Sequence, residues 1–190
     1  MSATWRSHQL RDAGPIASAF RERGCRTFGE ALELTWDLPY GRNTTPADDL
    51  CVLLDSRGTC STKHALLARL AAEQGIAADL VLGIYMMREA NTPGVGVVLE
   101  RHGLDAIPEA HCILEIDGER IDVTRRGGDG REPIGSFLYR EVISPGQIGD
   151  YKRNVHRRVI AEWIATGAAG NLTPEEAWRI REACIAALGG

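Results

Sequence analysis

The chain has 190 residues, 44% hydrophobic and 25% charged, with a formal net charge of −4. That size and balance suit one compact domain and exclude a disordered, collagen-like or fibrous chain. The mild acidity and 6% aromatic content argue against nucleic acid or an anionic membrane as partner. No apolar run approaches the roughly 18–20 residues that span a bilayer. Residues 1–14 lack a signal-peptide core, so a cytoplasmic location is expected.

In chain order, residues 11–23 read as a helix stopped by Gly24. Thr27 and Glu30 form a capping box that opens a second helix, ending before Pro39. Residues 39–46 are dense in turn formers, and 50–54 are too few for periodicity to assign. Residues 61–74 read as a strong helix, with Leu66, Leu67, Leu70 and Ala71 on one face and Gly75 as its stop. Cys60 falls at or just inside its N-terminus.

Residues 80–87 read as a buried strand, 95–102 as a short helix closed by Gly103, and 137–143 as a further strand. The glycine-rich 127–130 segment reads as a loop. Tyr151, Val155, Val159 and Trp163 recur every four residues, and Thr173-Pro174-Glu175-Glu176 opens a last helix. These C-terminal helices are expected to pack on the core or on a second copy of the chain, so a homo-oligomer through them is one expectation. Lys152, Arg153, Arg157 and Arg158 read as a solvated helix face, and His8, His102 and His156 carry no signal separable from surface chemistry.

Cys25, Cys51, Cys60, Cys112 and Cys184 include no C-x-x-C pair and read as free, mostly buried thiols. The clearest hairpin runs from 111 to 124. Asp117-Gly118 favours a two-residue type I′ turn, which pairs Ile116 with Glu119 and, by extension, 114 with 121, 113 with 122 and 111 with 124. Alternation then puts Cys112, Leu114, Ile116, Ile121 and Val123 on an apolar core face. His111, Ile113, Glu115, Arg120, Asp122 and Thr124 share the other face, read as exposed, with Glu115 and Arg120 as a cross-strand ion pair. His111 and Asp122 become diagonal neighbours, roughly 7 Å apart along the backbone.

A His–Asp pair beside a helix-N-terminal cysteine is what nucleophilic thiol chemistry needs. The helix end favours the thiolate, the histidine exchanges protons with thiol and leaving group, and the aspartate fixes the imidazole tautomer. A zinc site from His64, Cys60, His111 and Asp122 has suitable ligand types, but the triad explains the same residues better, so no metal is expected.

The ordered set Arg57-Gly-Thr-Cys60-Ser-Thr-Lys-His-Ala-Leu-Leu, Glu109-Ala-His111 and Ile121-Asp122-Val-Thr124 resembles the transglutaminase-like superfamily over about residues 50–126. Spacings of 51 residues from Cys60 to His111 and 11 from His111 to Asp122 are similar to those of compact bacterial members. The resemblance implies Cys60 as nucleophile, His111 as general base and acid, and Asp122 as orienting residue. It also implies an oxyanion donor upstream of the cysteine; Tyr40, Arg42 and Asn43 lie in the loop before it, and Asn43 is the preferred candidate, beside a plain Asx turn before Thr44. At two positions where many relatives carry an aromatic residue, after the cysteine and after the histidine, this chain has Ser61 and Cys112.

The expected fold is α+β, a papain-like or transglutaminase-like core. A cysteine-bearing helix packs on a small antiparallel sheet, flanked by N- and C-terminal helices. One domain spans 1–190, its core about 25–145 and a C-terminal helical extension about 149–190. The expected activity is thiol-dependent acyl transfer or hydrolysis on a peptide, amide or other acyl substrate, with no cofactor and no calcium. An acyltransferase resembling the arylamine acetyltransferases, or a non-catalytic binding module that keeps the fold, are the alternatives.

Overall fold

The computed structural model describes residues 4–126 and 134–188; the 127–130 loop lies outside them. The fold is α+β, with seven α-helices and a four-stranded antiparallel sheet among the described residues. The helices are α1 (Pro15–Glu22), α2 (Phe28–Asp37), α3 (Cys51–Asp55), α4 (Cys60–Gln74), α5 (Gly96–Arg101), α6 (Asp150–Ala165) and α7 (Pro174–Leu188). The strands are β1 (Asp79–Met87), β2 (Ile107–Ile116), β3 (Glu119–Ile121) and β4 (Tyr139–Ile143), in the order β3-β2-β1-β4. No helix among the described residues is long and apolar enough to cross a membrane.

The chain divides into two compact units. The first comprises Met1–Val81, Cys112–Arg126 and Val142–Gly149, and its central element is α4, against which α1, α2 and α3 pack. Sequence periodicity gives α4 one apolar face, but twelve of its fifteen residues are buried, Ser61, Thr62, Lys63, His64 and Gln74 among them. Polar residues survive there because each finds partners. Gln74, for example, accepts the Arg11 N–H at 2.8 Å and donates to the Arg11 carbonyl at 3.1 Å.

Helix α1 begins at Pro15, four residues later than its pattern suggests, because proline suits the first helical position and its N-cap, Gly14, has no side chain to offer. Glu73 on α4 supplies the missing cap, accepting the N–H groups of Ile16 at 3.1 Å and Ala17 at 2.7 Å. A Cβ on Gly14 would lie 2.3 Å from Glu73 Oε1, so any side chain there would push Glu73 out of its capping position. The Thr27–Glu30 capping box of α2 and the αL stop at Gly75 form as expected.

The second unit comprises Leu82–His111, Gly127–Glu141 and Asp150–Gly190. Its core joins Tyr85, Met87, Leu99 and Ile107 to Ile160 of α6 and Ile180, Cys184 and Ile185 of α7, with Trp163 and Trp178 packed against them. The C-terminal helices are thus part of a core, and the α6 stripe is covered within the chain at Val155 and Val159. Of the basic run read as a solvated helix face, Arg153, Arg157 and Arg158 are exposed, Arg157 pairing with Glu175 at the surface at 3.0 Å, whereas Lys152 is buried. His156 is buried too, its Nε2 2.8 Å from the Pro108 carbonyl.

Candidate functional site

Cys60 is the first residue of α4 and is 8% exposed. Thr59 caps the helix: its Oγ1 accepts the Thr62 N–H at 3.3 Å, while Thr62 Oγ1 accepts the Thr59 N–H at 2.9 Å. The Thr62 hydroxyl donates in turn to Asn43 Oδ1 at 2.7 Å. Asn43 Nδ2 donates to the carbonyls of Arg57 at 2.9 Å and Cys51 at 3.2 Å, and to the Asp55 carboxylate at 3.2 Å. Asp55 also takes the Thr44 N–H at 2.7 Å, and that backbone bond holds its carboxyl below the usual range. Asn43, the candidate oxyanion donor, is therefore buried and spends its amide on stitching the loop that leads into Cys60.

The hairpin forms in the expected register, with Leu114 opposite Ile121, Glu115 opposite Arg120 and Ile116 opposite Glu119. Its turn has φ of 51° at Asp117 and 77° at Gly118, the two left-handed residues that type I′ requires. The ladder stops at Ile121, however, so Asp122 and Thr124 are not strand residues as the parity count has them.

The reason lies in α4. The Val123 N–H donates to His64 Nε2 at 3.0 Å, and the Val123 and Thr124 carbonyls accept from Lys63 Nζ at 3.3 and 3.1 Å. Side chains of the helix have taken the backbone groups that a ladder would use. Asp122 is held at this clamp, its Oδ1 accepting the Thr124 N–H at 3.0 Å and lying 3.8 Å from His64 Nε2.

Both clamp residues are fully buried. Since His64 Nε2 accepts from a backbone N–H, the ring proton sits on Nδ1, which donates to the Cys60 carbonyl at 2.6 Å. Lys63 also reaches the Leu38 carbonyl at 2.5 Å; burial, only partly opposed by Asp122, pushes its pKa down to about 8. No group of three or more metal-ligating side chains occurs among the described residues.

His111 lies on β2 and is 7% exposed, so the face read as open to solvent is covered at His111 and Ile113, while Arg120 and Asp122 are exposed. The His111 ring meets the Tyr85 ring edge-on, with centroids 5.9 Å apart. Cys112 is fully buried, as its parity requires.

Two features escape the sequence reading. Lys63 stands on the same stripe as Leu66, Leu67 and Leu70, and a lysine on an apolar stripe must find acceptors; that signal was there to be used. Glu109 is buried and forms a two-pronged pair with Arg181 of α7 at 2.5 and 2.6 Å, with His156 Nε2 3.9 Å away. Nothing local in the sequence links residues 72 positions apart. The chain matches no protein-family model, and no curated protein or solved structure matches it significantly.

Proposed function

We propose that the chain carries out thiol-dependent acyl transfer or hydrolysis on an amide, with Cys60 as nucleophile, His111 as base and acid, and Asp122 as the residue that orients His111. One observation supports this reading most: the helix that begins at Cys60 grips the backbone beside Asp122 through His64 and Lys63. Thiol and carboxylate segment are thereby tied to one rigid element, as a preorganised site requires. Both His64 ring nitrogens are engaged by backbone groups, which leaves His111 the proton-transfer role.

In the proposed cycle the Cys60 thiolate attacks the amide carbonyl and forms a carbon–sulfur bond. First-turn N–H groups of α4 stabilise the oxyanion. The carbon–nitrogen bond then breaks as the His111 imidazolium protonates the departing amine. Water deprotonated by neutral His111 releases the acid from the thioester, and an amine in its place completes a transfer. The cycle uses no redox or organic cofactor.

The test is alkylation by iodoacetamide at pH 6, mapped by peptide mass. Cys60 is expected to label well ahead of the other four cysteines. Burial raises the Cys25 and Cys51 thiols and, together with the nearby Glu109 carboxylate, pushes Cys184 up to about 11. His111→Ala, its fold checked by circular dichroism, slows Cys60 labelling, whereas Asp122→Asn affects turnover more than labelling. Equal labelling of all five cysteines, unchanged in the His111 variant, assigns a binding module instead.

A further inference from the structure

The two positions at which the chain departs from the family pattern, Ser61 and Cys112, meet in the structure. The Cys112 thiol donates to Ser61 Oγ at 3.7 Å, and Ser61 Oγ lies 3.8 Å from Cys60 Sγ. All three side chains are buried, so the contacts form away from bulk water.

A hydroxyl has one hydrogen to give and two lone pairs to accept with. With the Cys112 S–H on one lone pair, the Ser61 hydrogen is oriented outward from Cys112, and Cys60 Sγ, 3.8 Å away, is an acceptor it can reach. A sulfur that ionises becomes a far better acceptor, so a donor fixed beside it favours the thiolate over the thiol.

We propose that Ser61 is a positioning residue for the Cys60 thiolate, its hydroxyl held in place by Cys112 and donated to Cys60 Sγ. This rests on the reading of Cys60 as the nucleophile. Ser61 touches no substrate and acts by setting the fraction of Cys60 that is ionised. It joins the helix end and the His111 imidazolium as a third source of thiolate stabilisation. Cys112, which cannot act as a second nucleophile from the core, acts through Ser61 alone.

The experiment is the pH dependence of Cys60 alkylation by iodoacetamide between pH 5 and 9 in the full chain, followed by peptide mass, with no substrate required. Ser61→Ala is expected to raise the midpoint of the profile and slow labelling at pH 6 about fivefold, the scale of one ordinary hydrogen bond. Ser61→Thr, which keeps the hydroxyl, restores the wild-type midpoint. Cys112→Ser, which keeps a donor, stays near wild type, whereas Cys112→Ala shows part of the Ser61→Ala shift.

If Ser61→Ala and Ser61→Thr move the midpoint alike, the effect is packing and the proposal is overturned. If Ser61→Ala leaves a depressed wild-type midpoint unchanged, the proposal falls while Cys60 stands as nucleophile. A wild-type midpoint at the ordinary thiol value of about 8.5 overturns both.

Discussion

Lys63 carries a cost that titration can read. In the folded chain its ammonium is buried on three carbonyls and its pKa lies at about 8, against 10.5 for the ordinary side chain. Between those values the unfolded chain still holds the proton that the folded chain has released, so stability contributed through this group rises as pH climbs from about 8 to 10.5. Compared with Lys63→Met, the wild type should gain about 3 kcal/mol of relative stability over that window, at 1.36 kcal/mol per pH unit. Urea denaturation of both proteins at pH 7.5 and pH 10 measures it, and a constant difference contradicts the burial argument. At this scale the helix that carries Cys60 was legible, because its signals are local: the stripe of Leu66, Leu67, Leu70 and Ala71 and the stop at Gly75. The partners of Lys63 and His64 were not, because Val123 and Thr124 stand about 60 residues away.

The elements divide in the same way. The β2–β3 hairpin was readable because Asp117-Gly118 fixes a turn and the turn fixes a register. Its premature end at Ile121 was not, since a ladder stops wherever another group outcompetes the neighbouring strand. The attachment of α7 to β2 through Glu109 and Arg181 is also non-local. Burial raises the Glu109 pKa, but the charge and hydrogen bonds of Arg181, together with the nearby His156 and Lys152, outweigh it and hold the carboxyl below its ordinary value. Its contribution is therefore present above the unfolded carboxylate range and lost as pH falls through the lower folded value. His156, pushed down chiefly by burial, adds loss in acid as the unfolded imidazole takes up a proton first. Arg181→Met strands a buried carboxylate and should destabilise the chain by about 3–5 kcal/mol. Adding Glu109→Gln removes the stranded charge and should recover much of that loss. If the double variant is no more stable than Arg181→Met alone, measured by chemical denaturation at pH 7, the ion pair is not the source of the effect.

On the scale of the whole molecule, the apolar stripe of residues 149–190 asks for a partner, the core or a second copy of the chain, and the sequence does not say which residues provide it. In the structure Ile160, Ile180, Cys184 and Ile185 complete the core around Tyr85, Met87, Leu99 and Ile107. Neither unit is a continuous stretch of chain, and β1, β2 and β4 each contain a point at which the chain passes from one to the other. Cutting after Gly149 therefore removes core side chains, not a tail. Burial of an isoleucine is worth about 1.5–3 kcal/mol, so the three lost isoleucines alone account for about 6 kcal/mol. That is comparable to the whole stability of a typical domain, about 5–15 kcal/mol. Loss of Arg181 also leaves Glu109 buried and unpaired, two residues from His111 on the same strand. A chain ending at Gly149 should lose amide-exchange protection through Tyr85–Met87 and Ile107–His111, and with it the selective alkylation of Cys60. Retention of both in the shortened chain would show that α6 and α7 are dispensable to the core they complete.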